Sequence, residues 1–182
     1  VLDNPDLVAV CMVGDGEAET GPTATAWHLN KLVHPAENGV VLPVLHLNEY
    51  KISGPTIYGR MSNEELIHLF KGYGYEPLIV EYGEQIWQDM QETLEKSLNL
   101  IKEAKKSKSI VKPKLPMIIL KTPKGWTGIK ELDGKKIEGN YPSHQVVGKN
   151  AKTDEKVLSK IEEWFKSYNF NDLFTAENGF ID

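Results

Sequence analysis

The sequence is poor in cysteine, with Cys11 alone among 182 residues. One thiol cannot form an internal disulfide, which is typical of a protein from a reducing compartment such as the cytoplasm. Cys11 lies within the apolar run 7–13, and apolar surroundings favour a buried, inert thiol. We therefore predict a cytoplasmic protein in which Cys11 is buried.

Long apolar runs and an excess of positive charge are also missing. No stretch approaches the roughly 20 residues that cross a bilayer, and the first residues contain neither a basic region nor a signal-like core. The formal net charge is −5, and Glu103 interrupts the basic cluster at 102–108. A solvated helix end explains this cluster better than a nucleic-acid surface. We therefore predict no membrane and no nucleic acid as partner.

The composition that remains is that of an ordinary globular domain. Hydrophobic residues make up 40% and charged residues 26% of the chain, which predicts a single domain over 1–182 with one core. The chain begins with Val1 and not with methionine. This start favours a piece of a longer protein.

Strand patterns and helix patterns alternate along the chain. Buried strands are predicted at 7–13, 40–47, 77–80 and 116–120, and helices at 23–33, 62–72, 86–101 and after Thr153. Helical crossovers between successive strands predict an α/β fold with a doubly wound, mostly parallel sheet and helices on both faces. The loop 122–152 is uncommonly long for a compact domain, and such loops are usually functional.

Three unusual segments follow predicted strands, at 14–21, 48–55 and 122–144. Doubly wound sheets bind their ligands beyond the carboxyl ends of the strands. We therefore expect the three segments to converge on one site.

The first of these segments contains Gly14, Asp15, Gly16 and Glu17. Glycines on both sides of an aspartate let the backbone turn sharply and bring amide groups close to an anion, while the carboxylate offers a hard oxygen to a divalent cation. A Mg²⁺-bound diphosphate needs both. The simpler interpretation is a strand-to-helix turn in which Asp15 only caps a helix.

Asn48 favours the metal-binding interpretation, because it follows Asp15 by 33 residues at the end of the next predicted strand. Its amide oxygen and the backbone carbonyl of Tyr50 would join the Asp15 carboxylate as oxygen ligands. Two diphosphate oxygens and a water would complete the octahedron that Mg²⁺ prefers. This spacing is typical of enzymes that use thiamine diphosphate.

The wider sequence closely resembles the phosphoketolase family. The resemblance is carried, in the family's order, by residues 14–22, 46–52, 72–75, 121–128 and 143–146, across nearly the whole chain. Thiamine enzymes in general share only the Gly-Asp-Gly turn and the later asparagine. The additional matching segments therefore separate phosphoketolase from transketolase. The resemblance implies the thiamine-diphosphate-binding fold, here its diphosphate-binding part.

The resemblance also implies an activity and its partners. Phosphoketolases cleave xylulose 5-phosphate, and often fructose 6-phosphate, with inorganic phosphate, giving acetyl phosphate and glyceraldehyde 3-phosphate or erythrose 4-phosphate. Thiamine diphosphate and Mg²⁺ are the implied cofactors. The glutamate that activates the cofactor lies on a separate pyrimidine-binding domain of the same or a second subunit. We therefore expect a homodimer or a higher homo-oligomer at full length, and an inactive fragment.

Residue roles follow from the same resemblance. Lys124 would place a cation near phosphate oxygens, and His144 would act near the reacting carbonyl or the leaving hydroxyl. Trp126 is suspected of lining the site, and the other histidines are predicted to be structural. At Glu49 the family usually has glycine. The implied metal ligands are Asp15, Asn48 and Tyr50, and the implied cofactor-binding residues are Gly14, Asp15, Gly16, Glu17, Asn48, Tyr50, Ile52 and Lys124.

Two other functions stay open at this point. A transketolase or another thiamine-dependent lyase would use the same Mg²⁺ ligands and form a different product. A non-catalytic α/β domain would use residues 14–17 as an ordinary turn. The sequence does not distinguish a preference for five-carbon or six-carbon sugar phosphates.

Overall fold

Four strands form one parallel sheet in a computed structural model of the chain. They are β1 (Val8–Gly14), β2 (Val40–Leu47), β3 (Tyr75–Glu81) and β4 (Leu115–Lys121). Their order is β1-β2-β4-β3, and every neighbouring pair is parallel. Helices flank this sheet, which confirms the predicted α/β class.

The structure describes residues 4, 6–52, 54–107, 109–145, 147–175 and 179–180. Lys108 of the basic cluster and Val146 of the last family segment lie outside these residues, as do the terminal residues 1–3 and 181–182. Within the described part, no helix has both the length and the apolar character that crossing a membrane requires.

The chain divides into two compact units, Val1–Pro123 and Lys124–Asp182, where the sequence predicted one domain over 1–182. The first unit carries the sheet, and its longest helices are α3 (Asn63–Gly72) and α4 (Ile86–Lys106). Ser62 and Glu65 form the predicted capping box of α3. The single helix predicted at 23–33 is instead a helix α2 (Gly21–Ala26) followed by a 3₁₀ helix.

Strand β1 differs from the prediction of a strand buried on both faces. Val10 and Met12 are each 58% exposed, and Cys11 is exposed as well. In the described part of the chain β1 pairs with β2 alone and lies at the edge of the sheet. The prediction of a buried Cys11 is therefore wrong, because an apolar run shows that a strand tolerates burial and not that another element covers it.

The core of the first unit lies between β2, β4 and the helices that cover them. Met117, Ile118 and Ile119 of β4 are fully buried, as expected of a central parallel strand. Phe70 of α3 makes edge-to-face contacts with Trp27 at 5.0 Å and with Tyr58 at 5.7 Å between ring centroids. Tyr58 belongs to the segment after Asn48, so this segment is anchored in the core.

Among the described residues of the second unit, the longest element is helix α5 (Glu155–Lys166), and the other elements are short. The predicted loop 122–152 is not structureless, because it holds the two-stranded ladder of β5 (Glu131–Leu132) with β6 (Lys135–Lys136) and a 3₁₀ helix. The Trp164 indole donates a hydrogen bond of 2.8 Å to the backbone oxygen of Thr127. This bond ties α5 to the beginning of the loop.

Candidate functional site

Two of the predicted segments meet at the carboxyl edge of the sheet. Gly14 ends β1 beside His46 of β2, so the chain leaves both strands at the same level. Residues 15–20 and the loop 48–58 then pack against each other, as the contacts of Asp15 show.

Asp15 begins the short helix α1 (Asp15–Ala18) and is only 2% exposed. Its Oδ2 accepts a hydrogen bond of 2.8 Å from the backbone N–H of Glu49 and one of 2.9 Å from the Thr56 hydroxyl. Its Oδ1 accepts a bond of 3.0 Å from the N–H of Gly16. A buried carboxylate needs such donors, because removing it from water is costly. Here the donors also fix the loop to the turn after β1.

Asn48 is the neighbour of Glu49, so the Asp15–Glu49 bond ties the Asp15 carboxylate to the backbone directly after Asn48. Asn48 is half-buried, and its Oδ1 accepts a hydrogen bond of 3.1 Å from the backbone N–H of Tyr50. Tyr50 in turn pairs with Pro55 across the base of a small hairpin-like loop. Ile52 projects from this loop and is 64% exposed.

The backbone at Glu49 has a conformation that favours glycine. Glu49 has a φ of 74°, in the left-handed region that side chains disfavour. Gly59 faces it so closely that a Cβ on Gly59 would lie 2.6 Å from the Glu49 Cα. The loop therefore adopts a strained conformation under close backbone packing.

The residues present fit a Mg²⁺-bound diphosphate. A carboxylate, an amide oxygen and a backbone carbonyl are hard oxygen donors of the kind Mg²⁺ prefers. A Cβ added to Gly14 would meet nothing within 4 Å, so the turn leaves room beside it. No group of three or more His, Cys, Asp or Glu residues suited to a metal occurs among the described residues. The predicted ligand set does not need one, because two of its three members are an amide and a carbonyl.

Gly16 and Glu17 lie in α1, where the sequence predicted amides that contact the diphosphate. The Gly16 N–H points to the Asp15 carboxylate, and a Cβ on Gly16 would lie 3.1 Å from the Lys51 side chain. Glycine at this position thus permits the loop to pack against the turn. The contact of the Gly16 and Glu17 amides with a diphosphate stays a prediction.

His46 lies near the carboxyl end of β2, opposite Gly14 of β1. Its Nε2 is 2.7 Å from the Thr122 hydroxyl oxygen. Burial lowers the pKa of His46 below the usual value for histidine, and the nearby Asp15 carboxylate acts in the opposite direction. A neutral imidazole bound to Thr122 agrees with the structural role predicted for it.

Lys124 and His144 belong to the second unit. Lys124 is 6% exposed, and its backbone oxygen accepts a bond of 2.7 Å from the N–H of Gly139. His144 is exposed at the end of the 3₁₀ helix Tyr141–His144. A Cβ on Gly125 would lie 2.5 Å from the Ser143 Cβ, so the segments that carry Lys124 and His144 adjoin within this unit. Their roles, and that of Trp126, stay predictions.

Sequence reasoning missed two residues of the first unit that hold the loop. Thr56 is fully buried and donates to Asp15, and Glu19 accepts backbone bonds from the end of the loop. A threonine after a proline and a glutamate in an acidic turn carry no signal of such contacts. Only the folded loop brings their partners within reach.

Comparison with known proteins gives one family throughout. The family model of the XFP N-terminal domain matches residues 1–182. A probable phosphoketolase 1 of Nostoc sp. is 50% identical over 186 residues, which cover 99% of this chain and 23% of that protein. Probable phosphoketolases of Gloeobacter violaceus and Bradyrhizobium diazoefficiens are 50% and 47% identical and cover 100% and 99% of this chain. The chain covers only 24% and 23% of those two relatives, so it spans about a quarter of their length.

Proposed function

The chain belongs to the XFP N-terminal domain family, and we propose that it supplies the Mg²⁺-binding and diphosphate-binding half of a thiamine-diphosphate site in a phosphoketolase. Its relatives are named probable phosphoketolases and are about four times longer. The activity of the whole protein is therefore part of the proposal.

One observation carries the proposal, the 2.8 Å hydrogen bond from the Glu49 N–H to the Asp15 carboxylate. It joins the aspartate of the glycine-rich turn to the residue after Asn48, which supports a cation shared by Asp15 and Asn48. In this proposal Asp15, Asn48 and the Tyr50 carbonyl hold Mg²⁺. The amides of Gly16 and Glu17 then bind the diphosphate, with Gly14 leaving room for it and Ile52 packing against the cofactor.

The bound cofactor would supply the carbanion chemistry that cleaves a ketose phosphate, here xylulose 5-phosphate and also fructose 6-phosphate. The chain's own residues bind and orient. Lys124 offers a positive charge to phosphate oxygens, and His144 holds or moves a proton at the reacting carbonyl or the leaving hydroxyl. The cleavage releases the shorter aldose phosphate, the remaining two-carbon unit loses its hydroxyl as water, and inorganic phosphate takes up the resulting acetyl group as acetyl phosphate.

The proposal includes the rest of the site. The pyrimidine-binding domain of the same or a second subunit would complete the cleft in a cytoplasmic homodimer or higher homo-oligomer. The 182-residue chain alone would then be inactive, because the group that activates the cofactor is on that other domain. Acetyl phosphate formation by the purified 182-residue chain would contradict this part.

The test compares the full-length protein with its Asp15→Asn variant. Asparagine keeps an oxygen for the loop and removes the charge that binds the cation. Acetyl phosphate formation from xylulose 5-phosphate should require Mg²⁺, thiamine diphosphate and phosphate, and should fall at least about 100-fold in the variant, because even outer partners of a metal typically contribute 10–100-fold. Asp89→Asn, at an exposed carboxylate of α4, is the matched control and should retain activity. Equal activity of Asp15→Asn and wild type would overturn the proposal.

A second thiamine-dependent activity is distinguished by its product. A transketolase-like enzyme would keep the same cation ligands and transfer two carbons to an aldose acceptor without phosphate. Phosphate-dependent release of acetyl phosphate by the full-length protein excludes it. A non-catalytic domain would show no rise in melting temperature when Mg²⁺ and thiamine diphosphate are added together, compared with either alone.

A further inference from the structure

Glu19 is a buried carboxylate that the proposed site does not use. Its side chain is 2% exposed, and its Oε1 forms an ion pair with the Lys51 Nζ at 2.7 Å. Its Oε2 accepts backbone hydrogen bonds of 2.7 Å from Ile57 and 3.1 Å from Tyr58. Burying a carboxylate is tolerated only when donors and a counter-charge compensate for the lost water. All three partners here come from one segment.

That segment is the loop 48–58, and Glu19 contacts both of its halves. Lys51 follows Tyr50 directly, while Ile57 and Tyr58 end the loop. The loop is closed on itself by the hydrogen bonds from the Lys51 N–H to the Gly54 oxygen at 2.7 Å and from the Thr56 N–H to the Glu49 oxygen at 2.9 Å. Because its two halves are joined, contacts with Lys51 on one half and with Ile57 and Tyr58 on the other hold both halves.

Asp15 and Glu19 therefore hold the same loop from the same turn, four residues apart. Asp15 contacts Glu49 and Thr56, one on each half of the loop, and Glu19 contacts Lys51 on the first half and Ile57 and Tyr58 on the second. Asp15 must also serve the cation in the proposed function, whereas Glu19 has all its contacts within the protein. The contacts of Glu19 therefore serve only to position the loop.

We propose that Glu19 is a positioning residue that fixes the loop 48–58 so that the Asn48 oxygen and the Tyr50 carbonyl lie beside Asp15 before the cation binds. The inference rests on the proposed function, because the cation is the one assigned there. Glu19 also neutralises Lys51, whose stem lies against Gly16. Without Glu19, the Lys51 ammonium would lose its 2.7 Å ion pair beside the turn that carries Asp15.

The test measures Mg²⁺ affinity in the full-length protein with Glu19→Gln. Glutamine retains an acceptor for the two backbone N–H groups and turns an amide donor toward the Lys51 ammonium, so the loop loses its ion pair without a change of volume. The Kd for Mg²⁺, titrated calorimetrically in the presence of thiamine diphosphate well below the melting temperature, should rise about 10- to 100-fold, the usual effect of losing an outer partner of a metal. The kcat at saturating Mg²⁺ should change much less.

Glu103→Gln is the matched control. Glu103 pairs with Lys106 at 2.8 Å, with both side chains 72% exposed on α4, so the same chemical change removes an ion pair away from the loop. Its Mg²⁺ affinity should equal that of wild type. Lys51→Met provides a second route if Glu19→Gln folds poorly, since it removes the same ion pair and keeps both backbone bonds. It should weaken Mg²⁺ binding in the same direction and by a smaller factor.

The outcomes separate this inference from the proposed function. If wild type binds Mg²⁺ with thiamine diphosphate, Asp15→Asn does not, and Glu19→Gln binds Mg²⁺ within twofold of wild type, the positioning role is refuted and the proposed site stands. A lowered melting temperature with unchanged Mg²⁺ affinity refutes it in the same way, as a structural role alone would give that result. Failure of wild type to bind the pair overturns the proposed function and this inference with it.

Discussion

Gly59 offers the sharpest test of the packing that shapes the candidate site. A Cβ at this position would lie 2.6 Å from the Cα and 2.9 Å from the Cβ of Glu49, and 2.8 Å from the Thr56 hydroxyl oxygen. The first of these atoms belongs to the backbone, so no change of rotamer relieves the clash. Gly59→Ala must therefore displace Glu49 or Thr56, the two residues that donate to the Asp15 Oδ2.

The expected cost is that of overpacking, about 1–3 kcal/mol. If the loop escapes this strain by moving, cofactor binding must restore its position, and the affinity for thiamine diphosphate with Mg²⁺ falls by about 5- to 150-fold, since 1.4 kcal/mol is tenfold. Calorimetric titration of the full-length protein measures this change. Gly54→Ala is the control, because a Cβ on Gly54 in the same loop meets nothing within 4 Å. Equal affinities of the two variants would refute the packing argument.

Three further predictions use single substitutions in the full-length protein. Glu49→Gly should raise the free energy of unfolding by about 1 kcal/mol, because glycine adopts the observed positive φ without strain; a lower melting temperature would contradict this. Gly14→Ala should leave the melting temperature unchanged, since the added Cβ meets nothing within 4 Å. The same variant should weaken binding of thiamine diphosphate with Mg²⁺. A titration that shows wild-type affinity would count against a diphosphate at Gly14. Burial raises the pKa of Tyr75 to about 12, so the folded state retains a proton that the unfolded state loses above pH ~10, and stability should fall as the pH rises from there. Tyr75→Phe should flatten this fall in thermal unfolding at pH 9 to 11, and an identical slope in both proteins would argue against the buried phenol.

Much of the fold could be predicted from the sequence because the signals are local or periodic. The continuous apolar run of β4 and the capping box of Ser62 and Glu65 both predicted elements that the structure contains. The exposure of β1 could not be predicted in this way. Its residues are as apolar as those of β4, and only the sheet order shows that the described chain covers one strand and leaves the other at an edge.

The residues of the candidate site also fall into two groups, those that local sequence signals predict and those that depend on tertiary packing. The positions of Asp15 and Asn48 after two strands predicted that their segments meet, because parallel strands deliver their carboxyl ends to one edge, and Asp15 does contact the residue after Asn48. Thr56 and Glu19 could not be predicted, since their partners are backbone N–H groups of a loop whose path depends on tertiary packing. Any residue type offers such groups, so the sequence carries no mark of them.

The side chain of Glu49 is tolerated because its own backbone bond outweighs the strain. A non-glycine residue in the left-handed region costs roughly 1–2 kcal/mol. The Glu49 N–H donates to a buried carboxylate at 2.8 Å, and a hydrogen bond to a charged group contributes about 1.5–3 kcal/mol. The conformation that strains Glu49 is the one that lets its N–H reach Asp15. A glutamate at this position therefore costs some stability, and it leaves intact the contact on which the proposed cation site depends.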